Sequence, residues 1–122
     1  IGKLNAFRRS HPALQEYDNL RFVDTSDDQV LAYYKATATG DDIVLVIVNL
    51  DPFHAHESQL WLPLDQLGLP WDAQIRASEL FSDESFMWTG ADQRVRLDPN
   101  TNPAMVFHLT PWEHHDFVDD SF

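Results

Sequence analysis

A run of six aliphatic residues at positions 43–48, IVLVIV, restricts the fold of this chain more than any other feature. Both the odd and the even positions are apolar, so the run predicts a central strand that is covered on both faces. Val46 and Ile47 point to opposite faces of such a strand, and we expect both to be buried. Pro52 lies just beyond the run and cannot donate to a ladder, so the strand should end before it.

Other short segments rich in β-branched and aromatic residues predict further strands, and turn-forming residues separate them. A single helical turn capped by Gly68 is predicted for residues 63–69. Short strands at roughly ten-residue spacing are typical of an antiparallel sandwich. The expected fold is all-β, an antiparallel β-sandwich preceded by one N-terminal α-helix. The further strands are predicted at residues 20–23, 30–39, 58–62, 73–81, 86–89, 93–97 and 104–109.

The first fourteen residues have a different pattern from the rest of the chain. Ile1, Leu4 and Phe7 recur at helical spacing, and Pro12 ends the pattern. A lone amphipathic helix before an all-β body has no obvious partner in the chain for its apolar stripe. We therefore expect this helix to belong to a longer polypeptide.

Charge and composition exclude several classes of function. The net charge is −12, from 20 acidic and 8 basic residues, so phosphate backbones and anionic lipid surfaces are repelled. We expect no nucleic acid partner. No apolar run approaches bilayer length, and no leader-like segment begins the chain, so no membrane partner is expected. The absence of cysteine excludes disulfides and is compatible with the cytoplasm, where we expect the protein.

Two kinds of polar cluster could be read as active sites. His54, His56 and Glu57 have two imidazoles two residues apart, a spacing that can hold one metal ion, but a solvated loop after Pro52 explains them better. Adjacent carboxylates at 27–28 and 83–84 lie in turn contexts that imply no apolar pocket. The sequence therefore predicts no metal, no cofactor and no catalytic residue in this chain.

The N-terminal motif and several later motifs resemble one enzyme superfamily. Residues 1–15 resemble the last barrel helix of the α-amylase superfamily (glycoside hydrolase family 13), where a similar Arg-Arg and Pro-Ala-Leu pattern leads into a C-terminal β domain. Further motifs, in the same order, are similar to the end of the bacterial α-1,4-glucan:maltose-1-phosphate maltosyltransferases. These motifs are residues 28–33, 46–52, 79–84, 88–90, 95–99 and 103–107.

The resemblance implies a division of the chain and a function for each part. Residues 1–14 would be the last helix of a catalytic barrel, 15–110 a C-terminal β-sandwich domain, and 111–122 an acidic tail. Ile1, Leu4 and Phe7 would dock on the barrel of the same polypeptide. The sandwich would be non-catalytic and would buttress the barrel of an α-glucan-synthesising glycosyltransferase, whose two carboxylates precede residue 1.

Three alternatives remain open for this chain. One is the C-terminal domain of a trehalose synthase or another α-amylase-family enzyme. Another is an autonomous α-glucan-binding module, and the third is a small metal-dependent enzyme. For the glucan-binding module Trp61 is the best candidate residue, because it alternates with Leu60 and Leu62 and should face outward when they face the core. Trp61 could instead pack on the barrel or a nearby loop, and Trp88 is expected in the core.

Overall fold

The computed structural model describes residues 2–15, 19–38 and 42–112, without the side chains of Leu4 and Trp112. A short α-helix precedes eight strands, as the sequence predicts, and a 3-10 helix that was not predicted lies between the α-helix and the first strand. The helices are α1 (Gly2–Ser10) and η1 (Pro12–Gln15). The strands are β1 (Leu20–Thr25), β2 (Val30–Ala36), β3 (Ile43–Asn49), β4 (His56–Trp61), β5 (Gln74–Glu79), β6 (Ser85–Thr89), β7 (Asp92–Leu97) and β8 (Ala104–Trp112).

One continuous antiparallel sheet builds both layers of the sandwich. Its strand order is β6-β5-β8-β3-β2-β1-β4-β7. The sheet changes layer within β1, whose first four residues pair with β2 and whose last two residues, Asp24 and Thr25, pair with β4. The main layer therefore holds β6, β5, β8, β3, β2 and β1, and β4 and β7 fold over its inner face.

The core lies between these two layers and confirms the predicted sandwich. Alternate residues of β3, Ile43, Leu45 and Ile47, are at most 1% exposed and face it. Trp88 is 8% exposed, and its ring lies 4.9 Å from that of Phe107, so the prediction that Trp88 belongs to the core is confirmed. Other core members are Val30, Ala32, Tyr34, Leu60, Ile75, Ala77, Val95, Leu97 and Leu109.

The outer face of β3 is only partly covered, which corrects one expectation. Val44 is 0% exposed, and η1 lies against β2 and β3. Val46 and Val48, further along the same face, are half-buried. The prediction that Val46 is buried was wrong for this chain, because the described residues supply a cover only at the Val44 end of the strand.

The predicted turn at Gly68 is confirmed, but the predicted end of the last strand is not. Gly68 has φ +75°, the Leu69 N–H donates to Leu64 O at 2.8 Å, and the Gly68 N–H donates to Asp65 O at 3.2 Å. These bonds form the predicted glycine cap of a helical turn. By contrast, β8 continues past the predicted end at residue 109 to Trp112, because β5 pairs with it as far as Gln74. The rest of the predicted acidic tail, residues 113–122, lies outside the described residues.

The position of Ile47 makes it the most sensitive test of this core. Replacing the fully buried Ile47 by alanine should lower the free energy of unfolding by about 2 to 5 kcal/mol, because it leaves a cavity between the layers. Val46→Ala is the matched control on the half-buried face and should cost clearly less in the isolated chain. Urea unfolding measures both, and equal losses would contradict the assignment of the two faces.

Candidate functional site

The segment after α1 is fastened to the outer face of the main layer by polar contacts around one carboxylate. Asp42 Oδ1 lies 2.8 Å from His11 Nδ1 and 3.2 Å from His108 Nε2, and its Oδ2 accepts the Ala13 N–H at 3.0 Å. The ring of Phe7 lies 4.2 Å from that of His11. Asp42 stands just before β3 and His108 on β8, so this group joins the helical segment to two central strands.

The electrostatics of this junction are set by burial and by its hydrogen bonds. Burial, the largest influence, acts to raise the pKa of Asp42, but the Ala13 N–H and the two imidazoles outweigh it and hold the pKa below its usual range. Burial, together with the charge on His11, lowers the pKa of His108. Asp42 is therefore a carboxylate at neutral pH, and His108 is a neutral imidazole.

Beyond the junction, the outer surface of the main layer is apolar across four strands. The register places Phe22 beside Tyr33, Tyr33 beside Val46, and Val46 beside Val106. Phe22 is 70% exposed, although it lies at the centre of a strand. We call this surface the outer apolar face. Of its residues, Leu20, Phe22 and Leu31 are exposed, Tyr33, Val46 and Val48 are half-buried, and Val106 is buried.

The structure describes the three predicted docking residues to different extents. Ile1 lies outside the described residues, and only the backbone of Leu4 is described. Phe7 is half-buried and packs on His11 of its own chain. Lys3, on the same helix, pairs with Asp83 in the β5–β6 turn at 3.2 Å. Docking by Ile1, Leu4 and Phe7 therefore stays a prediction. Near its start α1 makes one exposed ion pair, Lys3 with Asp83, and just after its end His11 joins the junction.

At another place on the sandwich, one histidine is bracketed by two carboxylates. His56 Nδ1 lies 2.6 Å from Asp27 Oδ2, and its Nε2 lies 2.9 Å from Asp51 Oδ2. Both ring nitrogens must donate to satisfy these oxygens, so His56 is an imidazolium. His54 lies 3.1 Å from the same Asp51, and Glu57 is exposed. The group is a salt-bridged clasp between loops, in which the carboxylates of Asp27 and Asp51 contact the His56 ring.

The pKa values of the clasp follow from its geometry. Hydrogen bonds to Asp51 and then to Asp27 raise the pKa of His56. The pKa of Asp51 is strongly lowered, first by His56 and then by the Phe53 N–H. The pKa of Asp27 is lowered by the Gln29 N–H and then by His56. All three groups are charged at neutral pH, and the clasp ties the β1–β2 turn to the β3–β4 loop.

Trp61 occupies the position that its alternation predicts. Leu60 is 0% and Leu62 4% exposed, whereas Trp61 is 41% exposed at the end of β4. Trp71 is 84% exposed in the loop before β5. Outward-facing indoles can stack on sugars or pack on protein, and exposure alone does not distinguish the two. Contact of Trp61 with glucan therefore stays a prediction.

Comparison with known proteins identifies the family. Residues 22–109 match the family model described as GLGE, C-terminal. The chain belongs to this family. It is 43% identical over 117 residues to the α-1,4-glucan:maltose-1-phosphate maltosyltransferase of Myxococcus xanthus, covering 96% of this chain and 17% of that protein. The maltosyltransferase of Rhodospirillum rubrum is 42% identical over 91% of this chain and 16% of that protein. The chain thus spans about a sixth of these relatives.

Solved structures agree on the fold. A maltogenic α-amylase, AmyB, from Thermotoga neapolitana superposes with a TM-score of 0.65 over 90% of this chain and 24% of that chain, at 12% identity. A β-L-arabinopyranosidase from Geobacillus stearothermophilus gives 0.55 over 83% of this chain and 22% of that chain, at 14% identity. At such identities the likeness concerns the fold, and it confirms the predicted amylase-type β-sandwich.

Sequence reasoning missed the junction around Asp42 and the outer apolar face. His11 and His108 are distant in sequence, and only the pairing of β3 with β8 brings His108 beside Asp42. The sequence does contain a weak indication of the outer apolar face, because Leu20 and Phe22 alternate with Arg21.

No helix among the described residues has the length and apolar character needed to cross a membrane.

The clasp predicts a characteristic pH dependence of stability. The pKa of His56 is raised, so its contribution is complete below the unfolded value of 6.5 and is lost as pH rises through the folded pKa. The pKa values of Asp27 and Asp51 are lowered, so their contributions are present above 3.8 and are lost as pH falls through the folded values. The loss of stability in His56→Gln should therefore be largest between pH 3.8 and pH 6.5.

Urea unfolding of wild type and His56→Gln across this pH range measures that difference. His54→Gln is the matched control, because His54 also touches Asp51 but its side chain is 78% exposed. It should have a smaller effect at every pH. A His56→Gln effect that does not change with pH would contradict the clasp.

Proposed function

We propose that this chain is the non-catalytic C-terminal sandwich of a maltosyltransferase-like enzyme and that it buttresses the catalytic barrel. The observation that carries the proposal is the outer apolar face, which lies beside the junction where α1 and η1 meet the main layer. Its exposed side chains lie on β1 and β2 and continue into half-buried residues of β3, and a contiguous, partly exposed apolar surface of this kind is typical of an interface. The polypeptide that leads into α1 is the natural occupant, and relatives about six times as long supply such a region.

The parent enzyme is proposed from the relatives. Those from Myxococcus xanthus and Rhodospirillum rubrum bear the name α-1,4-glucan:maltose-1-phosphate maltosyltransferase, which favours this parent over a trehalose synthase. Cytoplasmic synthesis of α-glucan is part of the same proposal. An autonomous glucan-binding module is the alternative, and retention of the isolated chain on immobilised α-glucan, lost in Trp61→Ala, would support it.

The outer apolar face can be tested by placing this chain in a relative. In a chimera, the chain replaces the matching segment of the Myxococcus xanthus enzyme. Phe22→Ser should destabilise the chimera by up to about 3 kcal/mol, because a buried phenyl ring is lost, and should leave the isolated chain almost unchanged. Differential scanning calorimetry on both proteins measures this contrast.

Phe53 offers a matched control for this experiment. It is 80% exposed, against 70% for Phe22, but it lies in the β3–β4 loop and away from the outer apolar face. Phe53→Ser should leave the melting temperature of the chimera unchanged. Equal effects of the two substitutions in the chimera would count against docking through this face.

The isolated chain should not hydrolyse α-glucan or transfer maltosyl groups. Retaining glycosyl transfer needs a nucleophilic carboxylate and a second, protonated carboxyl group on either side of the scissile bond. Asp27 and Asp51 face one another only through the His56 imidazolium, which keeps both ionised and hydrogen-bonded. Assays with maltose 1-phosphate and glycogen, with the intact Myxococcus xanthus enzyme as positive control, should show no turnover above background. Reproducible turnover by the pure chain would refute the proposal.

A further inference from the structure

The junction around Asp42 has the composition of a metal centre. His11, Asp42 and His108 each offer one ligand atom, and these atoms lie within 4.8 Å of one another. Two imidazole nitrogens and a carboxylate oxygen are a donor set that Zn²⁺ accepts, with a fourth position open to water. The three residues come from the segment after α1, from the start of β3 and from β8, so one ion would join three separate parts of the chain.

The distances are close to those that a tetrahedral ion requires. Zinc lies about 2.0 Å from nitrogen and oxygen ligands, so neighbouring ligand atoms in a tetrahedral site are about 3.3 Å apart. The observed separations from Asp42 Oδ1 are 2.8 Å to His11 Nδ1 and 3.2 Å to His108 Nε2. Both nitrogens lie close to the same oxygen, and all three ligand atoms lie within 4.8 Å of one another, so the side chains would have to adjust around a common point to bind the ion.

The surroundings hold the three ligands in place. The second oxygen of Asp42 accepts the Ala13 N–H at 3.0 Å, which fixes the plane of the carboxylate. Phe7 packs on His11, and the His11 and His108 rings lie 4.4 Å apart. Only 10% of the Asp42 side chain is exposed. Outer contacts of this kind orient metal ligands and strengthen binding.

We propose that His11, Asp42 and His108 form a binding site for a divalent transition ion, Zn²⁺ in particular, that clamps the segment after α1 onto β3 and β8. The role of this ion is structural. The proposal is independent of the proposed function, because it concerns a contact within the isolated chain and not the outer apolar face.

Among the described residues, the remaining histidines, His54 and His56, are poorer competitors for the ion. Both ring nitrogens of His56 donate to carboxylates of two different loops, so an ion that binds His56 must break one of these salt bridges. At the junction the ion would replace the proton between each imidazole nitrogen and Asp42, and Asp42 would stay in place as a ligand. His54 has a side chain that is 78% exposed, and its partner Asp51 is shared with His56. The His54→Gln variant is therefore the matched control, since it removes a histidine without touching the junction.

Titration of the 122-residue chain with ZnCl₂ against a chromophoric chelator tests the site. Wild type and His54→Gln should bind one equivalent with the same affinity. His11→Gln and His108→Gln should each bind at least about tenfold more weakly, because each lacks one direct ligand. Circular dichroism of each variant checks that the strands are retained. Equal zinc binding by folded wild-type, His11→Gln and His108→Gln proteins would overturn the proposal, and so would the absence of binding by wild type.

Wild-type protein alone gives a second readout, which holds even if a junction variant fails to fold. One equivalent of ZnCl₂ should shift the imidazole NMR signals of His11 and His108 and leave those of His54 and His56 in place. CoCl₂ should give the intense visible absorption of a tetrahedral ion. Zinc-induced shifts confined to His54 and His56 would overturn the proposal.

Discussion

The structure depends on the burial of one strand, β3. The core covers the inner face of this strand, and its outer face is covered only in part by the described residues. Its inner residues Ile43, Leu45 and Ile47 contact a core that this chain builds completely. On its outer face, as far as the described residues show, Val44 is fully buried where η1 contacts the strand, and Val46 and Val48 are half-buried. Burial of apolar area is the main favourable term in folding, so the inner face is sufficient for the sandwich to form. The outer face is where further apolar area remains to be buried.

Much of the local structure could be predicted because it depends on residues close together in sequence. The apolar run at 43–48 identified β3, the alternation around Trp61 gave its outward direction, and Gly68 gave the turn that it caps. These signals arise from strand parity and from a positive φ, and both are local properties. The exact strand ends were less well predicted, and β8 continues to Trp112 because β5 provides a partner there.

The features that could not be predicted depend on which strands become neighbours. β1 changes layer within six residues, and nothing in its sequence marks the step from β2 to β4. The same limit hid the junction, since Asp42 meets His108 only because β3 pairs with β8. Resemblance to a family supplied the overall arrangement, but it gave no reason to connect these two residues. Long-range strand pairing is therefore what the structure adds to the sequence.

Two highly exposed phenylalanines show why neighbouring residues matter more than exposure for locating an interface. Phe53 is 80% exposed in a loop whose neighbours, Asp51 and His54, are charged or polar, so water solvates its surroundings well. Phe22 is 70% exposed, but its cross-strand neighbour Tyr33 continues an apolar row to Val46 and Val106. A contiguous row releases more ordered water on contact than a single side chain does, and its rigid strands lose little conformational entropy. We therefore expect a protein partner to bind the apolar row around Phe22 and not the loop around Phe53.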